Sequence, residues 1–264
     1  MKAAIEHYAT GIERGRLLRG PGLVEFRRTQ EIIDRRLPSP PAMVADVGGG
    51  PGEYASWLAE RGYQVRLRDL VPSHVDHART LAPGATGSID AEVGDARELD
   101  FADASIDAVL LLGPIHHLIR RRDRLAALAE ARRVVRPGGP VFIAAISRWA
   151  PLLHGILVKR TDLNYPEARD LVKRVIRTGV LPPLFPGDFT AYVHRPNQLR
   201  AEVRAAGLEL IDLVSVEGLA FALPANDSDI ELLIDAARQT ERIPELMGLS
   251  PHMLLTARRG VTPC

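Results

Sequence analysis

Between Ala42 and Ser147, short apolar runs alternate with segments of helical periodicity. Strands separated by helices need right-handed crossovers, which place them side by side in a parallel sheet covered on both faces. The run from Ile106 to Leu112 is apolar throughout, as in a strand buried on both faces. The pattern therefore predicts an α/β fold. The predicted strands are 43–47, 64–68, 89–93, 106–112, 140–146, 208–216 and 253–256.

Two regions fall outside this alternation. Residues 1–36 have the pattern of two helices, and residues 148–197 interrupt the sheet with a helical pattern followed by Pro and aromatic residues. Both are expected over the carboxyl edge of the sheet, where open α/β sheets bind ligands. The expected division is a helical cap, a cofactor-binding half, a lid insertion and a second half of the same domain, at 1–41, 42–147, 148–197 and 198–264.

Charge and cysteine content narrow the function classes. With 34 basic and 33 acidic residues the net charge is +1, and without an excess of cations a nucleic-acid partner is not expected. The single cysteine, Cys264, excludes a disulfide or a Cys-based zinc site within the chain, and no metal is expected. No apolar run approaches a membrane span of ~18 residues. We expect a cytoplasmic monomer or homodimer.

A glycine-rich turn follows the first predicted strand, in the sequence Asp46-Val47-Gly48-Gly49-Gly50-Pro51-Gly52. Glycine at positions 48, 50 and 52 permits positive φ and lets the backbone approach a ligand without a Cβ in between. The helix that opens next offers backbone N–H groups to an anionic group such as a carboxylate. This turn therefore predicts a ligand-binding site.

Two acidic positions extend that site. Asp69 ends the second predicted strand, seventeen residues after Gly52, where a carboxylate can accept both hydroxyls of a ribose. Gly94-Asp95-Ala96 follows the third strand and can contact an adenine. These elements would fit a nicotinamide dinucleotide as well as another adenosine cofactor. Asp46, however, would repel a pyrophosphate and would suit the ammonium group of an amino-acid tail.

Further segments follow the fourth strand (Leu112-Gly113-Pro114-Ile115-His116-His117) and precede the fifth (Val134 to Gly139). With them the chain resembles the class I S-adenosylmethionine-dependent methyltransferases, over 42–147 for the motifs and 42–258 for the sheet. The resemblance implies a Rossmann-like, seven-stranded, mostly parallel sheet with an antiparallel last strand, helices on both faces, and S-adenosyl-L-methionine converted to S-adenosyl-L-homocysteine. It assigns the cofactor to Asp46, Gly48, Gly50, Gly52, Asp69, Leu70, Gly94, Asp95, Ala96 and Leu112. Tyr8, in the N-terminal helices, is a further candidate, expected to reach the cofactor's carboxylate.

The expected reaction is in-line methyl transfer to an O, N or C nucleophile of a small molecule, either a metabolite or a modified peptide. The fourth-strand motif lacks the N-P-P-Y/F sequence of members that grip nucleobases or glutamine amides. Candidate general bases are His116, His117 and His194, since histidine titrates near neutrality; pocket lining or helix capping is the alternative role. Candidate aromatic residues of the acceptor pocket are Trp149, Phe185, Phe189, Tyr192 and Phe221.

Two other functions stay open at this point. One is a non-catalytic or repurposed S-adenosylmethionine-binding protein, because intact binding motifs argue for binding and not for transfer. The other is an NAD(P)-dependent oxidoreductase, which the lack of a Tyr-x-x-x-Lys pair disfavours.

Overall fold

The computed structural model describes most of the chain. The described residues are 2–81, 86–157, 166–183, 189–223 and 229–261. Phe185 and Cys264, which the sequence singles out, lie outside them. Within the described part of the chain, no helix combines the length and the apolar character that a membrane span requires.

The centre of the fold is a seven-stranded sheet with the strand order β3-β2-β1-β4-β5-β9-β8. Strands β1 to β5 are parallel, whereas β9 is antiparallel to both of its neighbours, β5 and β8. The predicted fold class, with its antiparallel last strand, is confirmed. The seven strands are β1 Met43–Val47, β2 Gln64–Asp69, β3 Ser88–Val93, β4 Ala108–Leu111, β5 Pro140–Ile146, β8 Leu208–Ser215 and β9 His252–Arg259.

A separate antiparallel pair, β6 (Val180–Leu181) and β7 (Ala191–Tyr192), lies in the insertion after β5. Strand β4 is shorter than the apolar run that predicts it, because Ile106 forms only an isolated bridge to Val135. The helices are α1 Lys2–Tyr8, α2 Pro21–Asp34, α3 Glu53–Glu60, α4 Pro72–Ala78, α5 Pro114–His117, α6 Arg121–Val134, α7 Ala150–Leu157, α8 Pro166–Thr178, α9 Pro196–Ala205 and α10 Ile230–Thr240.

Apolar side chains cover both faces of the sheet. On one face, β-strand residues pack with buried residues of α6 and α9. On the other face they pack with α2, α3 and α4. This two-sided burial explains why β4 is apolar throughout, since all four of its residues are buried. The carboxyl ends of β1, β2, β3, β4 and β5 therefore meet at one edge, and the chain segments that follow them form the site.

Candidate active site

A cavity of about 340 Å³ lies at the carboxyl edge of the sheet, beneath α1 and the middle of α2. Its lining comes from the turns after the parallel strands, from the N-terminal helices and from the start of β9. Ten of the eleven residues expected to hold a cofactor contribute to it, and Gly52 does not. Those ten are Tyr8, Asp46, Gly48, Gly50, Asp69, Leu70, Gly94, Asp95, Ala96 and Leu112.

The glycine turn fits tightly against the fold on one side and is open on the other. Gly48 has φ +69°, and a Cβ there would lie 2.6 Å from Cγ of Pro114. Gly50 has φ +57° and nothing within 4 Å of the position of a Cβ. Gly52 caps α3 with φ +100°, so its role is to turn the chain into the helix. The turn therefore leaves free space above the backbone of Gly50.

Asp46 is a buried carboxylate, 1% exposed, at the base of this turn. Neither of its oxygens has a hydrogen-bond partner among the described residues. Burial raises its pKa to about 7, and the nearby charges of Asp69 and Glu53 add to the shift. A buried polar group without a partner costs stability, so this carboxylate is suited to a cationic ligand group.

Asp69 ends β2 and is held in place by two backbone groups. Its Oδ2 accepts a hydrogen bond from the N–H of Gly50 at 2.9 Å, and its Oδ1 accepts one from the N–H of Val71 at 2.8 Å. Each carboxylate oxygen has a further lone pair. The fixed carboxylate can therefore accept two more hydrogen bonds at the cavity surface, as a diol requires.

The segment after β3 lies beside Asp69. The N–H of Gly94 donates to the carbonyl of Asp69 at 3.0 Å, which fixes the two turns relative to each other. Asp95 is paired with Arg97, whose Nη2 lies 2.5 Å from its Oδ2, and a hydrogen bond from that guanidinium is the largest cause of its lowered pKa. Asp95 is thus an ionised acceptor at the edge of the cavity.

The turn after β4 brings His116 and His117 into the cavity lining. Tyr8 Oη lies 3.2 Å from Nε2 of His117. Burial lowers the pKa of His116 well below its ordinary value and that of His117 to about 4. Both imidazoles are therefore neutral at neutral pH and are weak bases.

His194 lies elsewhere, in a buried network behind that turn. Its Nε2 is 3.3 Å from Oε2 of Glu202, whose carboxylate also accepts hydrogen bonds from the guanidinium of Arg124 at 2.6 and 2.8 Å. That guanidinium stacks 3.6 Å from the ring centre of Tyr192 and donates to the carbonyls of Leu118 and Ile119. His194 is fully buried and does not contribute to the cavity.

Of the candidate pocket aromatics, Phe189 lines the cavity and packs against His117 and Tyr8, with ring centres 4.8 and 5.3 Å apart. Trp149, Tyr192 and Phe221 are not part of its lining. Phe189 and α1 together form the roof.

A polar cluster in the cavity wall is absent from the sequence-based candidates. His252, the first residue of β9, lines the cavity, and its Nδ1 is hydrogen-bonded to Glu217. Glu25, on α2, lies 4.0 Å from the same Nδ1. One signal was available: the first residue of an antiparallel strand lies at the carboxyl edge of its parallel neighbours, and His252 indeed pairs with Ile146 at the end of β5.

Ligand atoms of Glu25, Glu217 and His252 lie within 4.8 Å of one another. Their oxygens are already engaged by cations and donors, however. Arg16 donates to Glu25 at 2.7 and 3.2 Å, and Ser250 Oγ donates to Glu217 at 2.8 Å. The cluster is therefore a compensated ion-pair network.

Comparisons with known proteins agree with this geometry. A family profile described as "Methyltransferase domain" matches residues 45–143. An uncharacterized methyltransferase of Mycobacterium tuberculosis is 37% identical over 109 residues, 41% of this chain and 42% of that protein. An O-methyltransferase of Pyrenophora dematioidea is 34% identical over 126 residues, 46% of each. The chain thus spans less than half the length of these curated relatives.

The crystal structure of an S-adenosylmethionine-dependent methyltransferase from Methanosarcina mazei matches the fold with a TM-score of 0.62 at 16% identity, over 88% of this chain and 98% of that one. Residues 45–143 are thus a methyltransferase domain, and the fold of the chain is that of the class I S-adenosylmethionine-dependent methyltransferases. The predicted family is confirmed.

Proposed function

We propose that this protein transfers a methyl group from S-adenosyl-L-methionine to a small molecule that enters the same cavity. The observation that carries the proposal is that the motif residues share one cavity with α1, Phe189 and the mainly apolar residues beside β5 and β9. A roof in contact with the turn after β4 suits an acceptor of metabolite size. A polymer would need an open groove.

The cavity residues fit the cofactor group by group. Asp46, buried and without a partner among the described residues, suits the ammonium group of the methionine moiety. The free space at Gly50 admits the chain of that moiety beside the backbone. Asp69 would accept the ribose hydroxyls, and Asp95 with Ala96 would bind the adenine. We further propose that the segments 1–41 and 148–197 contribute the cover, through α1 and Phe189.

The bound cofactor supplies an activated methyl group on a sulfonium ion. The protein then has to align the acceptor and exclude water, and orientation alone can lower a barrier by about 7–11 kcal/mol. His116 and His117 are neutral, so they add no positive charge that would repel the sulfonium. Tyr8 and Phe189 cover the turn that carries them and so limit the access of water.

The same residues weigh against a nicotinamide dinucleotide. The pKa of Asp46 is already raised by burial and by neighbouring carboxylates. A pyrophosphate above the glycine turn would place further negative charge beside this carboxylate. Binding without transfer remains the second candidate class, as the motifs serve either function. Incubation with methyl-labelled S-adenosylmethionine and a metabolite panel tests the difference, and transfer to an acceptor is expected.

Calorimetry with S-adenosylhomocysteine tests the site itself. Asp69→Ala removes hydrogen bonds to a charged group, each worth about 1.5–3 kcal/mol, so the Kd is expected to rise by at least about tenfold. Asp76→Ala is the matched control, because Asp76 is on α4 with a side chain 73% exposed. Equal effects of the two substitutions, or tighter binding of NAD than of S-adenosylhomocysteine, would contradict the proposal.

We also propose that the protein is a monomer or a homodimer, which light scattering would check.

A further inference from the structure

His252 lies at the end of the cavity opposite Asp69. In the sheet order, β2 and β9 are four strand spacings apart, about 19 Å at ~4.8 Å per spacing. A nucleoside held by Asp69 therefore leaves the β5–β9 side of the cavity for a second molecule. We call this side the acceptor chamber, and its lining includes Leu17, Thr29, Ala144, Ile146, Val216 and His252.

The imidazole of His252 is fixed from one side by the carboxylate of Glu217. Glu217 is 3% exposed and accepts hydrogen bonds from Nδ1 and the backbone N–H of His252 and from Oγ of Ser250. Oγ of Ser250 in turn accepts the backbone N–H of Glu217 at 3.1 Å. Nε2 of His252 has no hydrogen-bond partner among the described residues, and the side chain is 26% exposed in the cavity wall.

The carboxylates around His252 are occupied. Both oxygens of Glu25 accept hydrogen bonds from Arg16, and those of Glu217 accept the bonds just described. Each of these two carboxylates is also paired with a cation, Glu25 with Arg16 and Glu217 with His252. Neither is therefore an unpaired counter-charge for an ammonium group on an acceptor. The group that the chamber does offer to an acceptor is Nε2 of His252, beside mainly apolar side chains.

His252 is also the strongest base among the cavity histidines. Burial and the positive charge of Arg16 both act to lower the pKa of His252. The negative charges of Glu217 and Glu25 have a larger effect, so the pKa rises to about 9. Besides Glu13, Glu25, Glu217 and Arg16, the titratable groups of the cavity wall on this side are Tyr54 and His116. Burial raises the pKa of the Tyr54 hydroxyl and lowers that of His116. The neutral imidazole forms as the pH approaches 9, and a phenol has a pKa of about 10, so a proton can then pass from the phenol to Nε2 at small cost.

We propose that Nε2 of His252 takes the proton of a phenol or enol hydroxyl on the methyl acceptor, with Glu217 as the positioning residue. This inference rests on the proposed function and names its substrate class. The hydroxyl proton moves to Nε2 while an oxygen lone pair forms the bond to the methyl carbon. The electron pair of the carbon–sulfur bond stays on sulfur, and the imidazolium later releases its proton to water. The acceptor is accordingly a compact, largely apolar molecule with an acidic hydroxyl.

The test uses a panel of phenols, each paired with its aniline analogue, and the variants His252→Asn, Glu217→Gln and His77→Asn. His77 is the matched control because it is on α4 and bonds only locally, to Thr80. Methyl transfer to phenols is expected, with kcat about 10²–10⁴-fold lower in His252→Asn and unchanged in His77→Asn. In the wild type, kcat should rise with pH up to about 9, and His252→Asn should lose this rise.

A second readout does not depend on turnover. The imidazole resonance of His252 should titrate near pH 9 in the wild type and at clearly lower pH in Glu217→Gln. Because Glu217→Gln retains His252, this measurement still tests the inference if His252→Asn fails to fold. Transfer to anilines but not to phenols, no transfer to any phenol while S-adenosylhomocysteine binds, or an unchanged kcat in His252→Asn would each overturn the inference. Failure of S-adenosylhomocysteine to bind the wild type would instead count against the proposed function.

Discussion

Tyr8 Oη lies 3.2 Å from Nε2 of His117, although 109 residues separate the two in the chain. The contact joins the first helix to the turn after β4. The rings also pack edge to face, with centres 5.3 Å apart, and Phe189 lies against both. The roof of the cavity is thus held by side chains from three distant parts of the chain.

Removing the side chain of Tyr8 should open that roof. Tyr8→Ala loses four ring contacts, among them those with His117 and Phe189, where an aromatic pair contributes about 0.5–1.5 kcal/mol. It also loses a hydrogen bond of about the same worth. S-adenosylhomocysteine should therefore dissociate more than about tenfold faster, measured by stopped-flow fluorescence. Tyr8→Phe keeps the rings and should accelerate dissociation less. Tyr63→Phe loses a hydroxyl bonded to Pro38, away from the cavity, and should change nothing; equal rates in all three variants would contradict this account.

Gly50 and Gly62 separate backbone strain from ligand contact. Gly50→Ala and Gly62→Ala both place a Cβ at positive φ, +57° and +90°, at a cost of about 1–2 kcal/mol, and neither meets an atom within 3.4 Å. Similar drops in the free energy of unfolding are expected. Only Gly50→Ala should weaken S-adenosylhomocysteine binding, because Gly50 lines the cavity and Gly62 does not. Comparable Kd values by calorimetry would refute a ligand at this turn.

Asp46 should make the stability of the ligand-free protein depend on pH. Its pKa is about 7 when folded and 3.8 ordinarily, so the folded state binds the proton more tightly. The stabilisation is complete below about pH 4 and is lost as the pH rises through 7. Urea unfolding of the wild type relative to Asp46→Asn should show a difference that falls by up to ~1.4 kcal/mol per pH unit between pH 5 and 7.

The slope of that difference is the test, since an asparagine amide changes the stability by an amount independent of pH. His252 also loses stabilisation as the pH rises, from 6.5 to about 9, but both chains carry it. A flat difference between pH 5 and 7 would show that Asp46 ionises normally.

The buried pair of Arg124 and Glu202 should dominate the stability of the region behind His116 and His117. Glu202→Ala leaves the guanidinium of Arg124 buried without its counter-charge, which typically costs about 3–5 kcal/mol. Glu209→Ala is the control, because Glu209 pairs with Arg258 at about half exposure, where such pairs contribute about 0–1 kcal/mol. Chemical unfolding measures both. Equal losses would mean that the buried pair contributes no more than the surface pair.

The sequence was most informative where the chemistry is local. Asp46, the glycine turn and Asp69 follow the ends of strands that apolar runs reveal, and parallel pairing brings such ends together. The strand pattern alone therefore places all three positions at one edge of the sheet. The bounds of β4 were less predictable, because Ile106 is equally apolar but lies outside the ladder.

Histidine roles were not predictable in the same way. His194 and His252 are the same residue type near predicted strands, yet His194 meets Glu202 in the core and His252 meets Glu217 in the cavity wall. Glu217 and His252 are 35 residues apart, and they meet because β9 inserts between β5 and β8. Their partnership depends on tertiary pairing, which leaves no periodic trace in the sequence.

The insertion of β9 between β5 and β8 also has a consequence for synthesis on the ribosome. Strand β9 follows every other strand of the sheet in the chain, yet it pairs with two that precede it. Until it emerges, β5 and β8 both expose unpaired edges, which are prone to associate with other chains. The lining of the cavity includes residues from both ends of the described chain, Ala4 on α1 and His252 on β9. A nascent chain that lacks β9 would therefore contain the glycine turn but not a complete cavity wall.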